Sequence, residues 1–342
     1  MTKKYELTNI TMKFEERTLY RIIALKNFSD VKAGELGGWV SNEYNLSQYG
    51  DCWIYNNAKC MDSANMFNNS CMYDNAVMYD NAIMYDNAIM YGNTRMFNNS
   101  EMHDFSKMYG NSEMHDDSMK FEYSTMHDHS IMCGYSETHN DSEMFGHSIM
   151  FGNSRMYENS RMYDSSKMYD DSMMCGSSVM CDNSKMYGDS MMCGNSTMLG
   201  NSMMCGNSKM HGNSMMCGNS MMHENSMMCD NSAMFGNSAM FENSIMRDYS
   251  TMRDNSTMYG NSELKNRERL YGTLASKVDK FINIDTLEGK MVTGVSKDGK
   301  ILYNVGSQSE ISKEEFLDKI HNEYEIAEEY LKIIDMIELY LR

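Results

Sequence analysis

From Met66 to Met258 one side chain returns at every sixth residue: of the 33 positions in that frame, 31 are Met, and only Lys120 and Thr138 depart from it. A period this short governs every other reading, because a repeat unit cannot bury a core alone and must stack on its neighbours. With Met as position one, position five is Ser, Ala or Thr in every unit, from Ser70 through Ala76, Ala82, Ala88 and Thr94 to the serines from Ser100 to Ser262. Position four is usually Asn, position three is Gly, Asp, Asn or Glu, position two is mostly Tyr, Phe, Cys or His, and position six varies freely. Traced backwards through Cys60, Ile54 and Gln48 to Leu36, with Cys52, Leu46 and Val40 at position five, the frame gives 38 hexads between Leu36 and Glu263.

A period of six suits neither a helix nor a hairpin. It suits a three-sided solenoid in which short strands alternate with tight corners, three hexads make one coil, and coils stack through parallel ladders. Strand alternation then points position one inward and positions two and six outward, with the small position five inward beside the corner. Gly, Asp and Asn at positions three and four supply the corner, where left-handed backbone angles are least costly for these residues. At about 4.8 Å per stacked strand the coils make a rod of roughly 60 Å.

This pattern resembles the hexapeptide-repeat family of left-handed parallel β-helices. Units such as Met78-Tyr79-Asp80-Asn81-Ala82-Ile83 look like the tyrosine-rich variety found in phage and bacterial proteins of unassigned role. The leader Gly34-Glu35-Leu36-Gly37-Gly38-Trp39-Val40, followed by Asn45-Leu46-Ser47 and Cys52-Trp53, looks like that variety's first segment, and the match covers about two thirds of the chain. The resemblance implies the left hand, whereas the general rule for parallel crossovers favours the other. Family members normally place Val or Ile at position one, so Met is a departure. The resemblance also raises acyl transfer, but the family's acyltransferases build sites at subunit interfaces with a His base and ejected loops, and no sizeable loop interrupts the repeat from Met66 to Glu263.

The expected architecture is therefore an all-β solenoid, a left-handed parallel β-helix of hexapeptide repeats over 36–263, with a β N-terminal cap over 1–35 and a small α+β C-terminal cap over 264–342. Solenoid edges invite aggregation and need covers. Lys4 to Leu7 and Leu19 to Leu25 read as strands that fold over the first coil. After Glu263 the repeat stops and Leu264 to Leu270 is a charged transition. Lys290 to Val295 and Lys300 to Val305 flank Ser296-Lys297-Asp298-Gly299, a hairpin with Asp-Gly at its turn. Ser312 and Glu315 form a capping box for a helix through His321. Ile326, Tyr330, Ile333, Ile334, Ile337 and Leu341 make an apolar helical face that packs on the hairpin, on the last coil or on a second copy of the chain.

Composition limits the function classes. The 342 residues include 43 Met and no Pro, are 42% hydrophobic and carry a formal charge of −18, which argues for a packed core and against nucleic-acid or anionic-membrane partners. The N-terminus lacks an apolar leader and no stretch approaches the roughly 20 apolar residues of a membrane span, so a cytoplasmic location with the ten Cys mostly reduced is expected. No phosphate loop, nucleophile elbow, Cys-x-x-Cys or His-Glu-x-x-His motif occurs, and neither an enzyme nor a cofactor is expected.

Three readings of the outer surface remain. The first is a non-enzymatic structural or protein-binding rod, with an unidentified protein partner, displaying columns such as Tyr73, Tyr91 and Tyr109. The second is molecular mimicry of DNA by regularly placed acids, Asp74, Asp80, Asp86, Asp104, Asp116 and Asp128 among them, set against ordinary turn chemistry. The third is a soft-metal site of the Cu(I) type: residues 18 apart stack, so Cys175, Cys193, His211 and Cys229 form one column, and thiolate favours such ions. His115 with Cys133 and Cys205 with His223 are further vertical pairs. Lys120 lies directly below Thr138, which makes either a local bulge that turns Met119 inward or a polar pocket, and because an unpaired buried ammonium is costly the bulge is expected there.

Overall fold

The six-residue unit makes one backbone pattern, repeated. The computed structural model describes residues 3–253, 255–265, 269–270, 273–275, 280–285, 291–297, 300–305, 308–323 and 327–341. The chain divides into two compact units, Met1–Asp182 and Asn183–Arg342. Each contains a parallel β-solenoid whose three faces are sheets of two-residue strands formed by positions six and one. In the first unit Val77–Met78 pairs with Arg95–Met96, and in the second Met203–Met204 pairs with Met221–Met222. The amides of positions six and two donate to carbonyls one coil on, as Val77 N does to Thr94 O at 2.9 Å and Tyr79 N to Met96 O at 3.1 Å.

Corners follow from position three, whose φ runs from 53° at Asn56 to 79° at Gly92, a region open to Gly and tolerated by Asp and Asn. Asp adds a second interaction there. The Asp74 carboxylate accepts from the Gly92 amide, and that of Asp128 from the Gly146 amide, each at 3.1 Å. Ordinary corner chemistry thus accounts for the regular acids. Inside, the position-one methionines are buried, Met78 and Met222 among them, as are the position-five residues Ser100, Ala76 and Thr94.

Three details depart from the sequence reading. Before Ile54 the frame shifts: Val40 pairs with Cys60 and Leu46 with Met66, 20 residues on, whereas Ile54 pairs with Met72, 18 on. Val40 and Leu46 are therefore position-one residues, and Leu36 lies outside the frame and is exposed. The two additional residues lie between Leu46 and Ile54, because the polar Gln48 cannot enter the core; its side chain instead accepts from the Lys4 amide at 2.8 Å and donates to Tyr5 O at 3.2 Å. Second, the ladder continues past Glu263. Glu263–Leu264, Arg269–Leu270 and Thr273–Ala275 pair with Ile245–Met246, Thr251–Met252 and Thr257–Tyr259, and buried Leu264 and Leu270 take the place of Met.

The third departure is Lys120. Met102, Lys120 and Thr138 pair in unbroken register, Lys120 points inward and is fully buried, and Met119 stays on the outer side. A bulge would break ladder hydrogen bonds on both neighbouring coils. The charge is relieved instead by burial, which pushes the Lys120 amine well below its usual pKa range and favours its neutral form. The amine donates to Ser124 Oγ at 3.2 Å, and Thr138 Oγ1 also donates to Ser124 Oγ, at 3.3 Å.

At the N-terminus, β1 (Tyr5–Phe14) and β2 (Arg17–Ala24) form an antiparallel hairpin, and β2 pairs antiparallel with β3 (Leu36–Val40), which pairs parallel with Lys59–Cys60. The hairpin thereby occupies the exposed edge of one solenoid sheet. In the second unit Lys280–Asp285, Met291–Lys297, Lys300–Val305 and Gln308–Ile311 form an antiparallel sheet whose two outer strands the sequence reading missed. The expected capping box opens α1 (Lys313–Glu323), with Ser312 N donating to Glu315 Oε2 at 2.7 Å and Glu315 N to Ser312 Oγ at 3.2 Å. Helix α2 (Ala327–Leu341) packs Tyr330, Ile333, Ile334, Ile337 and Leu341 against Val292, Tyr303 and Val305, so its apolar face is covered by the hairpin. Gly294 permits this approach: a Cβ there would lie 2.0 Å from Ile337 Cγ2. Lys290, Asp298, Gly299 and Ile326 lie outside the described residues. Among those described, no helix is long and apolar enough to cross a membrane.

Two stability predictions follow from these positions. Gly50 has φ of +69° and a Cβ there would sit 2.3 Å from Asn68 O, so Gly50→Ala should destabilise the fold by about 1–3 kcal/mol, measured by chemical denaturation. Lys120→Met should stabilise it by about 1–3 kcal/mol at neutral pH. Between the depressed folded pKa and the unfolded value near about 10.4 the unfolded chain binds more protons, so wild-type stability rises with pH. The advantage of Lys120→Met in thermal melts should therefore shrink from about pH 7 to about pH 9.5, and equal melting of the two proteins at both ends would contradict a strained lysine.

Candidate functional site

Because the ladder places residues one coil apart over one another, a planar side chain at position two meets its counterpart at strand spacing. In the first unit Tyr55, Tyr73, Tyr91, Tyr109, His127, Phe145 and Tyr163 form an unbroken stack with ring centroids 4.4–5.3 Å apart. Phe67, Tyr85, His103, Phe121, His139 and Tyr157 form a second, at 4.8–5.4 Å. The candidate column Tyr73, Tyr91 and Tyr109 is the centre of the first stack. Stacking covers ring faces, so each column presents ring edges and hydroxyls. Burial pushes the phenol pKa values of these three residues up, keeping them as neutral donors.

Position four forms a second kind of column. Asn57, Asn75, Asn93 and Asn111 are linked by side-chain amide hydrogen bonds of 3.0–3.2 Å, and in the second unit Asn201, Asn219, Asn237 and Asn255 by bonds of 2.9–3.1 Å. Such chains polarise one another. The sequence pattern carried this signal, but as a corner residue Asn was read for its backbone alone. Histidines of the second stack pair with acids at position six: His103 Nε2 lies 2.9 Å from Glu101 Oε2 and His139 Nε2 3.1 Å from Glu137 Oε2. His129 and His147 stack at 4.8 Å.

The predicted metal column fares differently. In the second unit His211 and Cys229 follow the paired strands Lys209–Met210 and Met227–Met228, and Cys229 is a free thiol whose pKa burial raises. Cys175 and Cys193 carry disulfide sulfurs and offer no free thiol. Convergence occurs elsewhere: the ligand atoms of His115, Asp116 and Cys133 lie within 4.8 Å of one another. Sequence spacing identified His115 with Cys133, but it took Asp116 for a corner residue.

No protein-family model matches the chain. It is 53% identical over 38 residues to the uncharacterized acetyltransferase YdcK of Escherichia coli (strain K12), a match covering 11% of this chain and 12% of that protein's length. The solved UDP-N-acetylglucosamine acyltransferase from Campylobacter jejuni is similar over 75% of this chain and 79% of its own, at 9% identity and a TM-score of 0.21. The expectation that this chain is not an enzyme is corrected by the local likeness to YdcK, which is named an acetyltransferase. In its hexapeptide period, its parallel three-faced coils and its local identity to YdcK, the chain resembles the hexapeptide-repeat left-handed β-helices.

Proposed function

We propose that the solenoid is a binding scaffold whose outer aromatic columns engage a protein partner. The observation that carries this reading is the seven-ring stack from Tyr55 to Tyr163. Side chains already held by their neighbours lose little freedom on association, and tyrosine combines apolar area with a polar tip, both of which favour interfaces. Neighbouring asparagine columns add regularly spaced amide groups. Replacing Tyr73, Tyr91 and Tyr109 together by Ser should weaken capture of a partner from the lysate of the native host by at least about tenfold, while the same change at Tyr157 and Tyr163 should cost less. Undiminished capture by the triple variant would remove the reading.

A second reading, acyl transfer, draws support from the likeness to YdcK and from the His–Glu pairs at His103 and His139. Here a position-six carboxylate orients an imidazole that acts as general base on an acceptor. The test is thiol release from acetyl-coenzyme A in the presence of amine and hydroxyl acceptors. Turnover that falls by about a hundredfold or more in His103→Ala or His139→Ala supports it, and turnover unchanged in both variants excludes those bases.

A further inference from the structure

The third aromatic column of the first unit lacks one ring. Tyr79, Phe97 and His115 stack at 4.8–5.0 Å, the next position-two residue is Cys133, and the column resumes at Phe151. A thiol fills much less space than a ring, and the consequence appears one coil on. Phe151 is 49% exposed, unlike the half-buried Phe145 in its unbroken stack, and is tilted by 58° against Tyr169. The column therefore carries a notch, with Cys133 at its floor and His115 on one side.

His115, Asp116 and Cys133 bring one nitrogen, one oxygen and one sulfur atom to within 4.8 Å of one another at this notch. Cys133 is only 6% exposed, while the side chains of His115 and Asp116 are 25% and 45% exposed, so the group is set into the surface yet open to water. Asp116 Oδ2 accepts from His115 Nδ1 and from the Gly134 amide, each at 3.1 Å, and the Cys133 thiol donates to Met150 O at 3.4 Å. Every ligand is thus held by a neighbour before any ion arrives.

We propose that His115, Asp116 and Cys133 form a binding site for a divalent transition metal of borderline softness, best matched by zinc, with the missing ring leaving a fourth position to water. The mixed donor set is what such an ion takes, whereas calcium and magnesium require oxygen. Metal–ligand bonds of about 2.0–2.3 Å set tetrahedral ligand atoms roughly 3.3–3.7 Å apart, a spacing that side-chain rotation at the half-exposed His115 and Asp116 supplies. On binding, the thiol proton passes to solvent and the Gly134 amide continues to orient the carboxylate, the role of an outer-shell donor.

The full chain, stripped with chelator, is titrated with Co²⁺ as a spectroscopic stand-in for zinc. One equivalent should bind with a thiolate-to-cobalt charge-transfer band, and Zn²⁺ should displace it. Cys133→Ser and His115→Phe, the latter restoring a ring used elsewhere in the same column, should abolish the band, and Asp116→Asn should weaken binding by about tenfold or more. Cys217→Ser, at position two of a hexad in the second unit, should leave the band intact, with circular dichroism verifying the fold of each variant. Absence of the band in the parent chain, or its persistence in folded Cys133→Ser, overturns the proposal.

Discussion

Everything in the solenoids depends on one hydrogen-bond relation, the donation of each strand amide to a carbonyl of the coil above, as from Met203 N to Ser220 O at 2.9 Å. That relation fixes both the strand spacing and the register, so each residue lies over the one 18 positions away. With register fixed, six positions acquire six environments. A thioether chain, unbranched and adaptable, fills the interior without demanding a particular packing partner. Position five admits only small residues, and Ala76, Ala82 and Ala88 occupy the same slot as the serines. Many of those serines, Ser130 and Ser232 among them, bury a hydroxyl with no partner among the described residues, so size rather than hydrogen bonding selects them.

The same relation turns local choices into long-range order on the outside. A ring at one position is stabilised by a ring one coil away, an amide by an amide, and a histidine ring is accepted wherever tyrosine or phenylalanine stands. The ladder also explains what the fold tolerates. Lys120 is held inward because displacing it would interrupt two parallel pairings, and the amine loses its charge more readily than the backbone loses its bonds. At Cys133 the tolerance runs the other way, since a small side chain keeps the ladder intact while opening a gap among the rings.

Much of this was legible in the residues. The period of six gave the coils, the inward methionines and the left-handed corners, and Ser312 with Glu315 gave the start of a helix that the structure places at Lys313. Where the reading failed, the information was not local. Gln48 fits the six-residue count, but only its contacts with Lys4 and Tyr5 show that the chain there is two residues longer. Leu264 and Leu270 continue the core with a different residue type, which a count of methionines passes over. Asp116 is one of many corner acids, and nothing in its own hexad marks it as a neighbour of Cys133.

Sequence alone determined the repeat, its inward and outward positions and the columns that any parallel stacking of three-hexad coils must create, because strand alternation and hydrogen bonding leave little choice once the period is set. Tertiary structure decided what each column is worth. Whether rings lie face to face, whether a buried lysine keeps its charge, which acid meets which thiol and which surface covers α2 depend on distances of a few ångströms between separate coils and elements. Those distances are set by packing across the fold, which the order of residues within one hexad does not contain.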